Sequence, residues 1–472
     1  MHVHLIGICG TGMGSLAGLL QQLGHRVSGS DTAFYPPMGE ALVRWGIETR
    51  EGYDPAHLEK APDLVVIGNV CRRDNPEASA ALERDLPYRS MPGALRELVL
   101  ARRRSFVVAG THGKTTTSAL LAFLLEQSGR EPGFLVGGIP LDFDESFRVG
   151  HDGGPFVVEG DEYDSAFFEK SPKFWQYEPE VACIHAIEQD HIDIYPDMGA
   201  YRAAFEGFVE RIDESGMLVY RADDAEVCAV AARARCRRLA FACLDDPGGC
   251  ELERQPDYTV ELGASGPEGQ ALRFRARGEF LGEACFALHG RHNARNALCA
   301  LVMAHEGAGV ELATLLSILP RFSGVGRRQQ LRGEAGGVRV YDDFAHHPTA
   351  VAETLGSLRA RHPQGALIAV FEPRSSTASR QLHQARYAES FAAASVSLIA
   401  PVGRPEIPVA EQLDVAQLVQ ALRTAGLSAE APASLEAIVE RTVALAQPGD
   451  TVVVMSNGAF GGIHGKLLAR LG

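Results

Sequence analysis

The 472-residue sequence predicts an α/β protein of three domains, built on parallel doubly wound sheets, with an antiparallel sheet added to the middle domain. Three observations predict it. The chain is too long for one core. Short apolar runs alternate with amphipathic stretches along its whole length. One such junction is a glycine loop between strand and helix, Gly110-Thr111-His112-Gly113-Lys114-Thr115-Thr116-Thr117.

The first domain, residues 1–103, opens on an apolar strand at residues 2–8, then glycines and an apolar helix ending near Leu23-Gly24. Further strands are expected at residues 26–29 and 64–68, and helices near residues 76–84 and 92–101. The basic run Arg102-Arg103-Arg104 reads as a solvated linker. The second domain, residues 104–332, starts with an apolar strand at residues 105–109 and the glycine loop, whose helix begins near Ser118. It continues with strands at residues 156–159 and 181–187 and a helix at residues 199–211. Alternation at residues 258–262, 272–276 and 285–288 predicts the added antiparallel strands, closed by helices at residues 293–306 and 311–319. The third domain, residues 333–472, alternates strands at residues 338–341, 366–371, 396–400 and 451–455 with helices at residues 348–361, 381–394, 435–446 and the C-terminus. It resembles a small dinucleotide fold without a glycine fingerprint.

With 46% hydrophobic and 22% charged residues, the composition is that of an ordinary globular protein. The apolar runs are short and the N-terminus lacks a signal-peptide layout, so a cytoplasmic protein without membrane anchoring is expected. A net charge of −15 argues against a nucleic-acid partner, and an anionic substrate would need local basic pockets. Nine cysteines without a CxxC pair suit reduced thiols. Cys228, Cys236, Cys243 and Cys250 recur near-regularly but read as buried or loop thiols, because zinc-ligand spacing is missing.

The loop at Gly110–Thr117 aims backbone N–H groups and a helix's positive end at whatever sits above it. Lys114 can reach outer phosphates, and Thr115 can offer its hydroxyl to Mg²⁺. Val108 stands where the full pattern has glycine, so the loop is a shortened variant, and ATP is its expected ligand. A second glycine turn, Gly7-Ile-Cys9-Gly10-Thr11-Gly12-Met13-Gly14, has Asp31 about twenty residues downstream. Ser15 occupies the third glycine position of the dinucleotide fingerprint, so a diphosphate cradle for either a UDP-sugar or NAD remains open.

Glu159-Gly-Asp161-Glu162-Tyr-Asp164 ends an apolar strand, and such crowded carboxylates repel unless a cation joins them, which points to Mg²⁺ on at least one. Glu188-Gln-Asp190-His191 ends the next strand, where ligands bind in such sheets; His191 could serve a second metal. Asn293 and Asn296 open a helix as caps or as ligand contacts. Arg327-Arg328 suit either a phosphate clamp or a solvated hinge. Asp342-Asp343-Phe-Ala-His346-His347-Pro348 is a capping or ligand-facing loop, and Arg374 a carboxylate clamp or a surface arginine.

Taken together, Gly110–Thr117, Glu159–Asp164, Glu188–His191, Arg291–Asn293, Arg327–Arg328 and Asp342–Pro348 resemble the Mur ligases, in that family's order and over essentially the whole chain. The family joins an amino acid or peptide to a UDP-muramyl precursor of the bacterial cell wall. Tyr35-Pro-Pro-Met38, Pro132-Gly-Phe134, Asp161–Phe168, Phe371-Glu-Pro-Arg-Ser375 and Met455–His464 are similar to the branch that adds a whole murein tripeptide, with L-alanine addition as the alternative.

The resemblance implies a UDP-binding first domain, an ATPase middle domain and a peptide-binding third domain. Gly110, Thr111, His112, Gly113, Lys114, Thr115 and Thr116, with Asn293, Arg328 and Asp343, would contact ATP. Lys114, Glu159, His191 and Arg328 would be catalytic; Thr115, Glu159 and His191 would hold Mg²⁺. Cys9, Gly10, Thr11, Gly12, Met13, Gly14, Ser30 and Asp31 would line the UDP-sugar site, and Arg374 and His346 the peptide site. UDP-N-acetylmuramate and a murein peptide or amino acid are the implied substrates. The chain departs from the family pattern at His185, Ala186, Gln329, Gln330, Ser376 and Ser379.

Overall fold

The computed structural model describes residues 1–244, 255–266 and 268–472; Cys250 lies outside the described residues. Fully buried apolar strands, such as Leu64–Ile67 and Thr451–Met455, form the parallel sheets, as expected where both faces are covered. Helix starts follow the local chemistry: Asn75, Ser90 and His347 each accept backbone N–H bonds, and each is followed by proline in the first turn.

The first sheet orders its strands Glu48–Glu51, Arg26–Asp31, His2–Ile6, Leu64–Ile67 and Tyr88–Ser90, all parallel. The strand order reverses beside His2–Ile6, so the Gly7–Gly14 turn opens at the ligand-binding edge.

The central sheet has ten strands. At its heart Arg104–Ala109 lies parallel between Pro155–Gly160 and Val181–Ile184, with Ala109 in register with both Gly160 and Ile184. The glycine loop, the acidic segment and the Glu188–His191 segment therefore leave one sheet edge side by side. Tyr258–Gly266, Gly269–Ala276 and Glu279–Phe286 form the antiparallel extension.

The third sheet orders Gln330–Ala335, Val338–Asp343, Thr451–Met455, Leu367–Phe371, Val396–Ile399 and Ser428–Glu430. All neighbours are parallel except the first pair. Among the described residues no helix is long and apolar enough to cross a membrane.

One apolar cluster runs without a break from the first domain into the central one, joining Leu16, Leu19 and Leu20 to Phe147, Phe156 and Val158. Phe147 meets Trp45 edge-on at 5.0 Å between ring centroids. A Cβ on Gly18 would lie 2.0 Å from the Phe147 ring, so the helix rests directly on it. Phe147→Ala is expected to cost about 3–5 kcal/mol, read as a lower denaturant midpoint. The third domain keeps separate clusters on its two sheet faces.

Three expectations need correction. Arg102–Arg104 is not a solvated linker: Arg103 is buried and donates to Val149 O and Val99 O, while Arg104 begins a strand and clasps Glu180. The helix expected at residues 381–394 is a 3₁₀ turn, Gln381–His383, leading into Gln384–Ser390. The last antiparallel strand is Glu279–Phe286, displaced toward the N-terminus from residues 285–288.

Candidate active site

The loop after Arg104–Ala109 turns on Gly110 (φ 127°) and Gly113 (φ 85°), left-handed values that a side chain resists. At Gly113 a Cβ would also lie 2.6 Å from Asn296 Oδ1. Val108 is wholly buried in the strand, which explains the shortened loop: the chain is still inside the sheet where the longer pattern has begun to turn. Ala186, a departure from the family pattern, acts through its backbone, accepting from Thr111 N at 2.8 Å.

Lys114 Nζ lies 2.6 Å from Gly110 O and 2.9 Å from Glu162 Oε2. Glu162 is fully buried and also contacts Tyr201 OH at 2.9 Å and His191 Nε2 at 3.2 Å. Burial opposes its ionisation, but Lys114 and His191 hold it below the ordinary carboxylate value. Burial likewise lowers Lys114, and Glu162 more than offsets that, so its pKa is raised. The two form a buried ion pair at the mouth of the loop.

Beside it, Glu159 accepts from Thr115 Oγ1 at 3.2 Å and from Gly137 N at 2.6 Å. Burial raises the Glu159 carboxyl, and Arg328 and Lys114 only partly counter it. A hydroxyl next to a carboxylate short of positive charge is a donor set that fits Mg²⁺, which binds through one or two carboxylates plus substrate phosphates. His191 sits against Glu162, so a carboxylate oxygen accompanies it as well, and its ring meets Tyr163 at a tilt, 4.1 Å between centroids.

Asp161 pairs with Lys173 Nζ at 2.7 Å. Burial alone would raise Asp161, but Lys173 and then Lys114 draw it down to about 2. Its folded value lies below the unfolded one, so the pair stabilises the fold above about pH 4, and this is lost as pH falls toward 2. Lys173→Met is therefore expected to cost on the order of 1 kcal/mol at pH 7, after allowing for solvent screening of this partly exposed pair. In urea titrations that difference should shrink between about pH 4 and pH 2.

The third domain and the connection leading into it close the site. Arg328, flanked by the left-handed residues Arg327 (φ 62°) and Gln329 (φ 48°), donates from Nη2 to Thr115 Oγ1 at 3.1 Å. Asp343 accepts from Gln329 N at 2.8 Å and Ala345 N at 2.7 Å, and burial raises its pKa. Glu188 Oε2 accepts from Thr349 Oγ1 and Arg386 Nη2, each at 2.7 Å, and His191 N donates to Thr377 Oγ1 at 3.0 Å. His346 Nε2 lies 3.7 Å from Asp190 Oδ2. His112 of the loop and His347 of the third domain face each other at 4.7 Å between ring centroids, each with a buried Nε2 that lacks a hydrogen-bond partner. Asn293 donates to His289 O at 2.8 Å, one turn from the loop-supporting Asn296.

Arg374 is exposed at the end of Leu367–Phe371, over Gly403 and Gly458, where any Cβ would meet its side chain. The unusual serines beside it hold this turn: Ser379 Oγ donates to Pro373 O, and Ser376 Oγ accepts from Arg380. Gln329 and Gln330 are equally structural, bonding His292 Nε2 and Arg327 N.

At the first domain's turn, Gly10 caps the helix Thr11–Gln22, which carries Gly12, Met13 and Gly14 in its first turn. Cys9 N donates to Asp31 Oδ2 at 2.8 Å, and Asp31 Oδ1 also accepts from Thr32 N and Tyr53 OH. Ser30 is wholly buried, with its hydroxyl donated to Glu77 Oε2 at 2.7 Å. Asp31 thus rims the turn while the Ser30 side chain points into the core.

Sequence reasoning placed Glu162 in an acidic cluster but missed its pairing with Lys114, and it missed Tyr201, Thr349, Thr377 and Arg386. Of these only Glu162 carried a signal, its place beside the metal-type carboxylates. Cys236 and Cys243 are buried and Cys228 Sγ donates to Ala222 O, and no metal-type group among the described residues includes them.

Three family domains match in succession: the Mur ligase family catalytic domain at residues 2–103, the Mur ligase middle domain at residues 108–304, and the Mur ligase glutamate ligase domain at residues 327–458. The chain is 40% identical to the UDP-N-acetylmuramate–L-alanyl-γ-D-glutamyl-meso-2,6-diaminoheptandioate ligase of Escherichia coli, covering 100% of this chain and 98% of that protein. It is 36% identical to a UDP-N-acetylmuramate–L-alanine ligase of Roseiflexus, over 85% of each chain. A crystal structure of a murein peptide ligase from Psychrobacter arcticus superimposes with a TM-score of 0.73 at 34% identity, over 100% of this chain and 99% of that one. Domain succession and full-length identity agree: this chain belongs to the Mur ligase family.

Proposed function

We propose that the protein is an ATP-dependent ligase acting in the cytoplasm. It joins the lactyl carboxylate of UDP-N-acetylmuramate to the amine of the murein tripeptide L-alanyl-γ-D-glutamyl-meso-diaminopimelate. The observation that carries this reading is the end-to-end match to a relative of that name, 40% identical over the whole chain. The geometry supports the chemistry: Lys114, Glu159 and His191 converge at one sheet edge, where Arg328 arrives from the connection to the third domain and Asp343 from that domain.

In this reading residues 1–103 take the UDP-sugar over Cys9–Gly14, residues 104–332 take ATP, and residues 333–472 present the peptide near Arg374 and His346. The carboxylate attacks the γ-phosphorus of ATP, giving an acyl phosphate and ADP; the amine then attacks the carbonyl and expels phosphate. Both partners in the first step are anions, so most of the barrier is charge repulsion. Lys114 and Arg328 bring positive charge to the phosphates beside Thr115. Thr115 and Glu159 would hold one Mg²⁺ and His191 would serve a second, and such ions would neutralise phosphate charge. The buried His347 Nε2, which lacks a hydrogen-bond partner, and His112 Nε2, 3.4 Å from Glu188 Oε1, offer further contacts at the loop. Domain contacts through Glu188 and Thr377 exclude water from the acyl phosphate.

The test supplies purified protein with UDP-N-acetylmuramate, ATP and Mg²⁺ plus either the tripeptide or L-alanine. Amine-dependent phosphate release is expected with the tripeptide. Release with L-alanine alone would instead establish the second reading, which the 36% identity to an L-alanine ligase keeps in view. ATP binding without amine-dependent release would reduce the protein to a nucleotide-binding scaffold.

A further inference from the structure

Beneath the phosphate loop lies a cluster that the ligase chemistry does not use. Cys183 stands in the strand Val181–Ile184, His185 follows that strand, and Cys299 comes from the helix Arg291–Val302. Their ligand atoms lie within 4.8 Å of one another, and all three residues are buried. His185 Nε2 is 2.8 Å from Thr117 Oγ1, in the helix that begins at Lys114. A Cβ on Gly113 would lie 3.3 Å from His185 Cγ, so the imidazole supports the loop from below.

Two thiols and an imidazole make a soft donor set, which selects thiophilic cations over Mg²⁺. With metal–ligand bonds of about 2.3 Å, a trigonal ion needs its donors about 4 Å apart. The cluster meets that with a contraction of under about 1 Å. No fourth histidine, cysteine or carboxylate joins the group among the described residues, so the closed tetrahedron of structural zinc is not formed. Thr117 occupies the place of the outer partner that orients a ligating histidine. Burial raises both thiols, but Cys299 and His185 bring Cys183 below its ordinary value, while Cys299 stays above its own.

We propose that Cys183, His185 and Cys299 form a buried trigonal site for a soft cation of the monovalent-copper type, and that its occupancy weakens nucleotide binding. On binding, each thiol loses its proton to solvent and no electron is transferred. Drawing the three donors together shifts His185 and, through its bond to Thr117, the helix that begins at Lys114, which disturbs the phosphate loop above it.

The test uses reduced full-length protein in a Cys285→Ser background, because Cys285 is exposed and would capture the ion itself. Cu⁺ is presented as its coloured bicinchoninate complex. One equivalent per chain is expected to be withdrawn, with X-ray absorption showing two sulfurs and one nitrogen. Cys183→Ser and Cys299→Ser should each lose that equivalent, while Cys236→Ser keeps it. If a serine variant fails to fold by circular dichroism, alanine at the same position takes its place. In the copper-loaded protein, ATP affinity should fall by about fivefold or more. No copper uptake, uptake that persists in both cluster variants, or unchanged ATP affinity on loading would overturn the proposal.

Discussion

Lys114→Ala is expected to lower amine-dependent phosphate release by about a thousandfold or more, because a buried cation aimed at transferring phosphate is the main source of charge neutralisation. The same substitution perturbs the fold. Glu162 is wholly buried, and losing Lys114 leaves its carboxylate with only His191 and Tyr201. Breaking a buried pair from one side costs about 3 kcal/mol or more. The double variant Lys114→Ala/Glu162→Gln separates the two effects, since a neutral amide no longer needs the ammonium. Urea unfolding of the double variant should return most of the lost stability, and the ligation assay should stay silent. Ligation that recovered with stability would show that the lysine serves the fold and not the phosphates.

Arg328→Ala is the second large effect. Its guanidinium reaches across 213 positions of sequence to Thr115, the hydroxyl beside Glu159. An arginine supplied within the same chain to a transferring phosphoryl group contributes about a thousandfold or more to kcat. We expect kcat to fall by that order with little change in the KM for UDP-N-acetylmuramate, whose proposed cradle lies in the first domain. Arg328→Lys should recover only a small part, because an ammonium lacks the planar fork that spans two oxygens. A KM increase with kcat intact would mean that Arg328 holds the domains together and takes no part in the transfer.

What could be read from the residues follows from which forces are local. The buried parallel strands Leu64–Ile67, Pro155–Gly160 and Thr451–Met455 announce themselves, because both faces are apolar. The edge strands Glu48–Glu51 and Gln330–Ala335 do not: they are polar and half-exposed, and exist because a neighbour offers backbone partners. Arg103 misled for a related reason, since its carbonyl acceptors at Val99 and Val149 are invisible in a run of three arginines. At the site, Glu159 stands at the end of a strand, Lys114 opens the helix after one and His191 lies in the segment that follows another, and such junctions are legible as motifs. Their partners were not. The Glu162–Lys114 pair spans 48 positions, His191–Thr377 spans 186 and Arg386–Glu188 spans 198, so only the strand order brings them together. The departures from the family pattern at Ala186, Ser376 and Ser379 serve backbone and turn in place.

The apolar cluster shared by the helix Thr11–Gln22 and Phe147 divides the molecule unevenly for heat and for motion. The first two family domains keep apolar clusters of their own but share this one, and calorimetry should record them as one cooperative unit. The third domain owns both of its cores and is joined through the short connection at Arg327–Gln329, so it forms the other unit. The protein is thus bipartite in thermodynamics while tripartite in architecture, and the boundary between its halves runs directly past the nucleotide.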